Sequence, residues 1–181
     1  MRVTGHIAVG AASYLFTATV LPEHTIFNSG IVIWYVGLFL TLLGACLPDI
    51  DHPESTIGQK VKIISYPLSL FFGHRGITHS LIAIAAMLYC GYYFSTTYIN
   101  TQMMFVPCIA LGYLSHLFAD SLTPQGIRLF YPMKTRFCVP IIQNGIIEVV
   151  VYVLLLSGSI WLYFNAPEYW GSTKPPAFGF R

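Results

Sequence analysis

Five long apolar segments, almost free of charged side chains, constrain the fold of this chain more than any other feature. They cover 7–21, 30–47, 81–94, 103–119 and 146–164. The segments are continuous rather than alternating with polar residues, and in lipid only helices or closed barrels satisfy every backbone hydrogen bond. The sequence therefore predicts an all-α, polytopic membrane protein with about five transmembrane helices.

The composition agrees with a membrane protein and argues against a nucleic-acid-binding one. The 181 residues are 55% hydrophobic and only 9% charged, whereas soluble domains carry about 25% charged residues. The formal net charge is +2, and the Lys and Arg residues are dispersed rather than clustered. The four cysteines form no C-x-x-C pair, which disfavours a disulfide framework or a thiolate metal site.

The remaining segments are short or rich in turn-forming residues. Residues 63–73 are apolar but too few to cross a bilayer, which needs ~20 residues, so we expect an interfacial or re-entrant segment there. The C-terminal tail, 165–181, contains three prolines and is expected to be flexible. The chain is thus expected to form a single helical membrane domain, 1–164, followed by this tail.

The distribution of Lys and Arg predicts how the helices are oriented. The loops after the second and fourth apolar segments each contain three basic residues, and those after the first and third contain none. Short cytoplasmic loops hold the excess of positive charge. The N-terminus is therefore expected in the cytoplasm and the C-terminus outside.

A His and an Asp lie at the end of the fourth apolar segment, in the stretch GYLSHLFADSLTPQG. His116 and Asp120 are four residues apart, so on a helix they share one face, about 6 Å apart at Cβ. Pro124 is expected to end this helix, because it has no N–H and disfavours helix at the residue before it. The pair is a candidate pair of metal ligands, with structural hydrogen bonding as the alternative.

Further candidate ligands fall at the same, cytoplasmic ends of the predicted helices. Asp49 and Asp51 face opposite ways in an extended segment, so we expect one to coordinate a metal while the other orients a ligand or accepts a proton. We assign Asp49 as the ligand and Asp51 as the catalytic residue. With two more histidines, the predicted ligand set is His6, Asp49, His79, His116 and Asp120.

Other polar residues near these ligands are expected to support them or to bind substrate. Arg75 suits bidentate binding of a phosphate, although an interfacial Arg also serves as a membrane anchor. Glu148 lies just inside the fifth apolar segment, where it either supports a ligand or complements the helix dipole. The full set is His52, His74, Arg75, Thr78, Lys134 and Glu148.

The type of ligand limits the metal and the chemistry. Imidazole and carboxylate ligands without thiolates suit divalent Zn, Mn, Fe or Ni, and the ligand type does not choose among these metals. We expect Zn, with Mn or Fe as alternatives, in one or two ions. A catalytic metal lowers the pKa of a bound water toward ~7. We therefore expect hydrolysis of a phosphate ester or another lipid-borne ester. The alternative is a non-enzymatic membrane protein with a structural metal site or an ion-handling role.

The chain resembles the YdjM/YbcI-type bacterial inner-membrane proteins over nearly its whole length. The resemblance rests on three motifs in order, which are Asp49-x-Asp51-His52-Pro53, His74-Arg75-Gly-x-Thr78-His79-Ser80 and Gly112-x-x-x-His116-x-x-x-Asp120-x-x-Thr123-Pro124-x-Gly126. It implies a multi-pass protein of a bacterial inner membrane with metal-dependent hydrolase activity.

A more distant resemblance is to the zinc-dependent phospholipase C and single-strand nuclease superfamily. It implies zinc ligands at an early His, an Asp, a second His and an H-x-x-x-D pair, here His6, Asp49 or Asp51, His79, His116 and Asp120. The later His and H-x-x-x-E ligands of that superfamily are missing from this sequence. A complete three-metal centre is therefore not expected.

Overall fold

The protein, as described by a computed structural model covering 1–21, 31–72, 75–99 and 105–165, is helical. Its helices are α1 (Val3–Val20), α2 (Ile31–Gly44), α3 (Lys62–Phe72), α4 (Leu81–Phe94), α5 (Val106–Ser121) and α6 (Gly145–Asn165). A short 3-10 turn, Leu47–Asp51, follows α2, and a second, Ile77–His79, precedes α4. Across these ranges the only strand-like pairing is an isolated bridge between Ile127 and Phe137. The prediction of an all-α protein is confirmed.

Within the described part of the chain, three helical segments are long and apolar enough to cross a membrane, namely Val3–Val20, Val32–Asp51 and Gly145–Asn165. The two other predicted spans correspond to shorter helices, since α4 has 14 residues and α5 has 16. At 1.5 Å per residue they measure about 21 and 24 Å, against an apolar bilayer core of ~30 Å. All five predicted helices are present, and three of them have the length of a membrane span.

Helix α3 occupies the segment predicted to be interfacial or re-entrant. Its 11 residues are too few to cross a bilayer. Ile63, Leu70 and Phe71 are all exposed, which leaves a large apolar surface on this short helix. This exposure fits an interfacial position, which stays a prediction. Beyond Asn165, the predicted tail lies outside the described residues.

Small residues let α1, α2 and α5 approach one another closely. At Gly112 of α5, a Cβ would lie 1.9 Å from the Thr41 carbonyl oxygen of α2. At Gly10 of α1, a Cβ would lie 2.9 Å from the Ala45 Cβ. Membrane helices commonly associate through such small residues. The packing brings together the ends of these helices that hold the candidate ligands.

Helix α6 packs along α1, and a buried carboxylate joins the starts of the two helices. Glu148 is 8% exposed, and its Oε1 accepts a hydrogen bond of 2.7 Å from the Arg2 backbone N–H. This donor lies at the start of α1, where backbone N–H groups lack helical partners. The contact fits a supporting role in which Glu148 positions helix α1 and does not itself contact the side chain of a ligand.

Candidate metal centre

Two helices, α1 and α5, and the two 3-10 turns bring all five predicted ligands into one buried group. Two overlapping triads share His116, and within each triad the potential ligand atoms lie within 4.8 Å of one another. The three imidazoles are at most 1% exposed. The triads are His6, His116 and Asp120, and Asp49, His79 and His116. We refer to these five residues as the His–Asp cluster.

The distances within the His–Asp cluster match those between ligands of one metal ion. His116 Nε2 lies 3.3 Å from His79 Nε2 and 3.7 Å from Asp49 Oδ1. Asp120 Oδ2 lies 3.5 Å from His79 Nε2 and 3.8 Å from His116 Nε2. Ligands held ~2.0–2.1 Å from a tetrahedral zinc are about 3.3 Å apart. The cluster therefore needs little rearrangement to hold an ion.

Hydrogen bonds orient His116 and His79 so that one nitrogen of each faces the cluster. His116 Nδ1 lies 2.7 Å from the Ala45 carbonyl oxygen, which can only accept, so we assign the ring hydrogen to Nδ1. His79 Nδ1 lies 3.4 Å from Asp51 Oδ2, which as a carboxylate oxygen also accepts, so we assign the ring hydrogen of His79 to Nδ1 as well. Both Nε2 atoms then present lone pairs 3.3 Å apart. A cation between them, a proton or a metal ion, relieves this repulsion.

The surroundings of His79 favour positive charge. Burial lowers the pKa of His79, but hydrogen bonding to the Asp120 and Asp51 carboxylates outweighs it and leaves the pKa raised. A metal ion at His79 Nε2 would supply the same charge. The acidic neighbours of this imidazole therefore suit a divalent cation.

His6 is buried without a hydrogen bond to either ring nitrogen. Its ring stacks on His116 with centroids 3.7 Å apart, and its Nε2 lies 3.4 Å from Asp120 Oδ1. Neither nitrogen finds a hydrogen-bond partner in the part of the chain that the structure describes. Buried polar atoms are nearly always paired, because leaving them unpaired costs free energy. A metal ion would satisfy one of these two nitrogens, so the residues present fit a metal site.

Asp51 lies on the Nδ1 side of His79, away from the Nε2 atom that faces the cluster. Its Oδ2 accepts hydrogen bonds from the Arg75 backbone N–H, at 3.1 Å, and from the Thr78 hydroxyl. Carboxylates in this position orient metal-ligating histidines and set which ring nitrogen is free. These contacts fit a residue that orients a ligand, which is the role expected from the sequence for one of Asp49 and Asp51. Its role as the catalytic residue stays a prediction.

Arg75 is buried and holds Asp120 in place. Its Nη2 lies 2.8 Å from Asp120 Oδ2, and its Nη1 donates to Thr123 Oγ1 at 3.3 Å and to the Gly126 carbonyl at 3.2 Å. Its φ of 59° is in the left-handed region, which is uncommon for a non-glycine residue. These contacts fit a positioning role better than the bidentate phosphate contact predicted from the sequence.

A polar cavity of about 420 Å³ adjoins the His–Asp cluster. Asp49 belongs both to the cluster and to the cavity wall, and its side chain, 13% exposed, is the least buried of the five. His52, Arg75 and Arg2 also line the cavity. Arg2 was not predicted as a site residue, although a basic residue four positions before His6 on one helix was a usable signal.

The other predicted residues differ in how close they lie to the cluster. Thr78 contacts both Asp51 and His79, and its carbonyl accepts a hydrogen bond from the Tyr113 hydroxyl. Lys134 is exposed on the loop between α5 and α6 and does not line the cavity. His74 lies outside the described residues.

Comparison with known proteins places this architecture in a family. The family model described as YdjM inner membrane protein matches residues 1–173. The chain is 40% identical to inner membrane protein YdjM of Escherichia coli (strain K12) over 144 residues, which cover 75% of this chain and 70% of that protein. The same figures hold for inner membrane protein YdjM of Shigella flexneri.

A more distant relative comes from a different bacterium. The uncharacterized protein YvsG of Bacillus subtilis (strain 168) is 37% identical over 99 residues, which cover 55% of this chain and 59% of that protein. No solved structure matches. The family expected from the three sequence motifs is confirmed, and this chain belongs to the YdjM family of inner membrane proteins.

Proposed function

We propose that this protein is a membrane-embedded, metal-dependent hydrolase of a phosphate ester or another lipid-borne ester. The main support is that the buried His–Asp cluster borders a polar cavity through Asp49. Structural metal sites are closed, because protein side chains fill every position, whereas catalytic sites keep one position open. A cavity beside the ligands favours hydrolysis over the alternative of a purely structural metal.

The residues divide the work of such a reaction between them. A divalent ion, Zn or else Mn or Fe, would supply an activated water and polarise the ester. The His–Asp cluster would hold one ion, because both triads need His116 and only the lone pair of its Nε2 is available to a metal. Asp51 would keep His79 oriented, and Arg75 would keep Asp120 in place. His52 and Arg2, on the cavity wall, would contact the polar part of the substrate.

Hydrolysis of chromogenic esters tests this proposal. We expect zinc-loaded protein in detergent to hydrolyse at least one of three 4-nitrophenyl compounds, a phosphomonoester, a phosphodiester or a carboxyl ester. Activity should disappear with a chelator and in His116→Ala, because both remove the ion. His52→Ala should keep its metal and raise KM, since it changes only the cavity wall. Protein that binds metal in the cluster but hydrolyses none of the three would contradict the proposal and favour a structural metal.

We also propose that α1, α2, α4, α5 and α6 all cross the inner membrane, with the N-terminus and the cluster cytoplasmic and the C-terminus outside. The alternation of basic and non-basic loops supports this orientation. Cys138 is an exposed, free cysteine on the loop between α5 and α6. A membrane-impermeant maleimide should label it in inside-out vesicles and not in intact spheroplasts, with Cys138→Ser as the control. Labelling in spheroplasts would reverse the orientation.

A further inference from the structure

An apolar groove of about 280 Å³ lies along three helices and has no role in the reaction proposed above. Residues from α1, α5 and α6 line it, among them Val9, Thr17, Leu111, Phe118, Leu155 and Ser159. Two of these helices, α1 and α6, are long and apolar enough to cross a membrane. The groove is therefore expected to face the hydrocarbon of the bilayer.

The groove starts close to the His–Asp cluster. Val9 follows His6 by three residues on α1, which is about one helical turn, and Phe118 lies level with His116 and Asp120 along α5 but on the opposite, exposed face of that helix. From Val9 to Thr17 the groove extends about 12 Å along α1, at 1.5 Å per residue. One leaflet contributes about half of the ~30 Å apolar core. The groove thus covers most of the depth of one leaflet, starting at the cluster.

The groove wall suits an alkyl chain better than a polar ligand. The Thr17 hydroxyl donates to the Ser13 carbonyl at 2.8 Å, so its hydrogen is already paired within α1. Most of the other lining residues are apolar.

We infer that this groove binds one acyl chain of a phospholipid. The inference deepens the proposed function and rests on it in one respect, because the lipid is then the substrate and its headgroup must extend from the end of the groove at Val9 to the cavity at Asp49, which different residues line. The substrate class is accordingly a glycerophospholipid rather than a soluble phosphate ester. Binding of the chain is a separate property and can be measured without turnover.

Photo-crosslinking tests this inference on the full chain. The protein is reconstituted in vesicles of phosphatidylethanolamine and phosphatidylglycerol that contain a trace of phosphatidylglycerol with a diazirine midway along one acyl chain. After irradiation, mass spectrometry should locate the label on groove-lining residues of α1 and α6. Ser13→Trp fills the groove and should lose most of this label. Val153→Trp places the same side chain at an exposed position of α6 that does not line the groove, and should keep it.

Three results would overturn the inference. They are label spread evenly over the exposed positions of α6, unchanged groove labelling in folded Ser13→Trp, and crosslinks that join two copies of the chain through the groove. His116→Ala separates the two proposals. Groove labelling in both His116→Ala and wild type, with no activity in the wild type, would support acyl-chain binding and contradict the hydrolase proposal. An active wild type without groove labelling would support the hydrolase proposal and contradict acyl-chain binding.

Discussion

Replacing His116 with alanine is expected to remove all specifically bound metal. His116 belongs to both triads, so neither can form without it. The zinc content of detergent-purified, zinc-loaded protein, measured by plasma mass spectrometry, should fall from one equivalent to none. His52→Ala is the matched control, because it removes an imidazole from the cavity wall and leaves the His–Asp cluster intact. Full zinc content in folded His116→Ala would contradict the site.

Three related variants test how many ions bind and whether Asp51 supports the ligand His79. His6→Ala removes a ligand from one triad only, and His79→Ala from the other only. Because both triads depend on the single lone pair of His116 Nε2, we expect one ion, and both variants should keep a single equivalent at lower affinity. Asp51→Asn should weaken zinc affinity by about 10–100-fold, because it disturbs the orientation of His79 without removing a ligand.

Gly112→Ala is expected to disrupt the packing of α5 on α2. The added Cβ would lie 1.9 Å from the Thr41 carbonyl oxygen and 2.7 Å from the Ala45 nitrogen. Both are backbone atoms, so relief requires a shift of α2, and overpacking of this kind costs about 1–3 kcal/mol. The same shift withdraws the Ala45 carbonyl from His116 Nδ1. We therefore expect a lower melting temperature in detergent together with weaker zinc binding.

Gly158→Ala is the matched control for this prediction. Among the residues that the structure describes, no atom lies within 4 Å of a Cβ placed at Gly158, so the substitution adds no clash with them. Alanine also favours helix over glycine by about 0.8–1 kcal/mol, so α6 should be unchanged or slightly more stable. A Gly112→Ala protein with the wild-type melting temperature and zinc affinity would show that α2 and α5 do not need this close approach.

The sequence was sufficient to predict the helices and the residues that the structure brings together. Continuous apolar runs identify helices without knowledge of their neighbours, and four-residue spacing places His116 and Asp120 on one face. The predicted start of the first helix, at Ile7, is four residues late. The apolar segment begins at residue 7, but α1 begins at Val3, and Glu148 of α6 accepts a hydrogen bond from the Arg2 N–H just before it.

The supporting contacts could not be predicted, because they depend on tertiary packing rather than on residue type. The partner of His116 Nδ1 is a backbone carbonyl at Ala45, and every residue has one. Arg75 has a sequence context that suits phosphate binding, but its guanidinium lies against Asp120 and the loop that follows α5. These contacts depend on how α2 and α5 pack across each other, and no local sequence pattern determines that packing.

X-ray absorption at the zinc edge of zinc-loaded protein tests most directly whether the His–Asp cluster binds metal. We predict a shell of nitrogen and oxygen ligands at ~2.0–2.1 Å, with imidazole scattering from at least two histidines and no sulfur at ~2.3 Å. His116→Ala should abolish the signal after removal of free zinc. A sulfur shell, which would indicate a cysteine such as Cys46, or zinc surrounded only by water oxygens, would contradict the account.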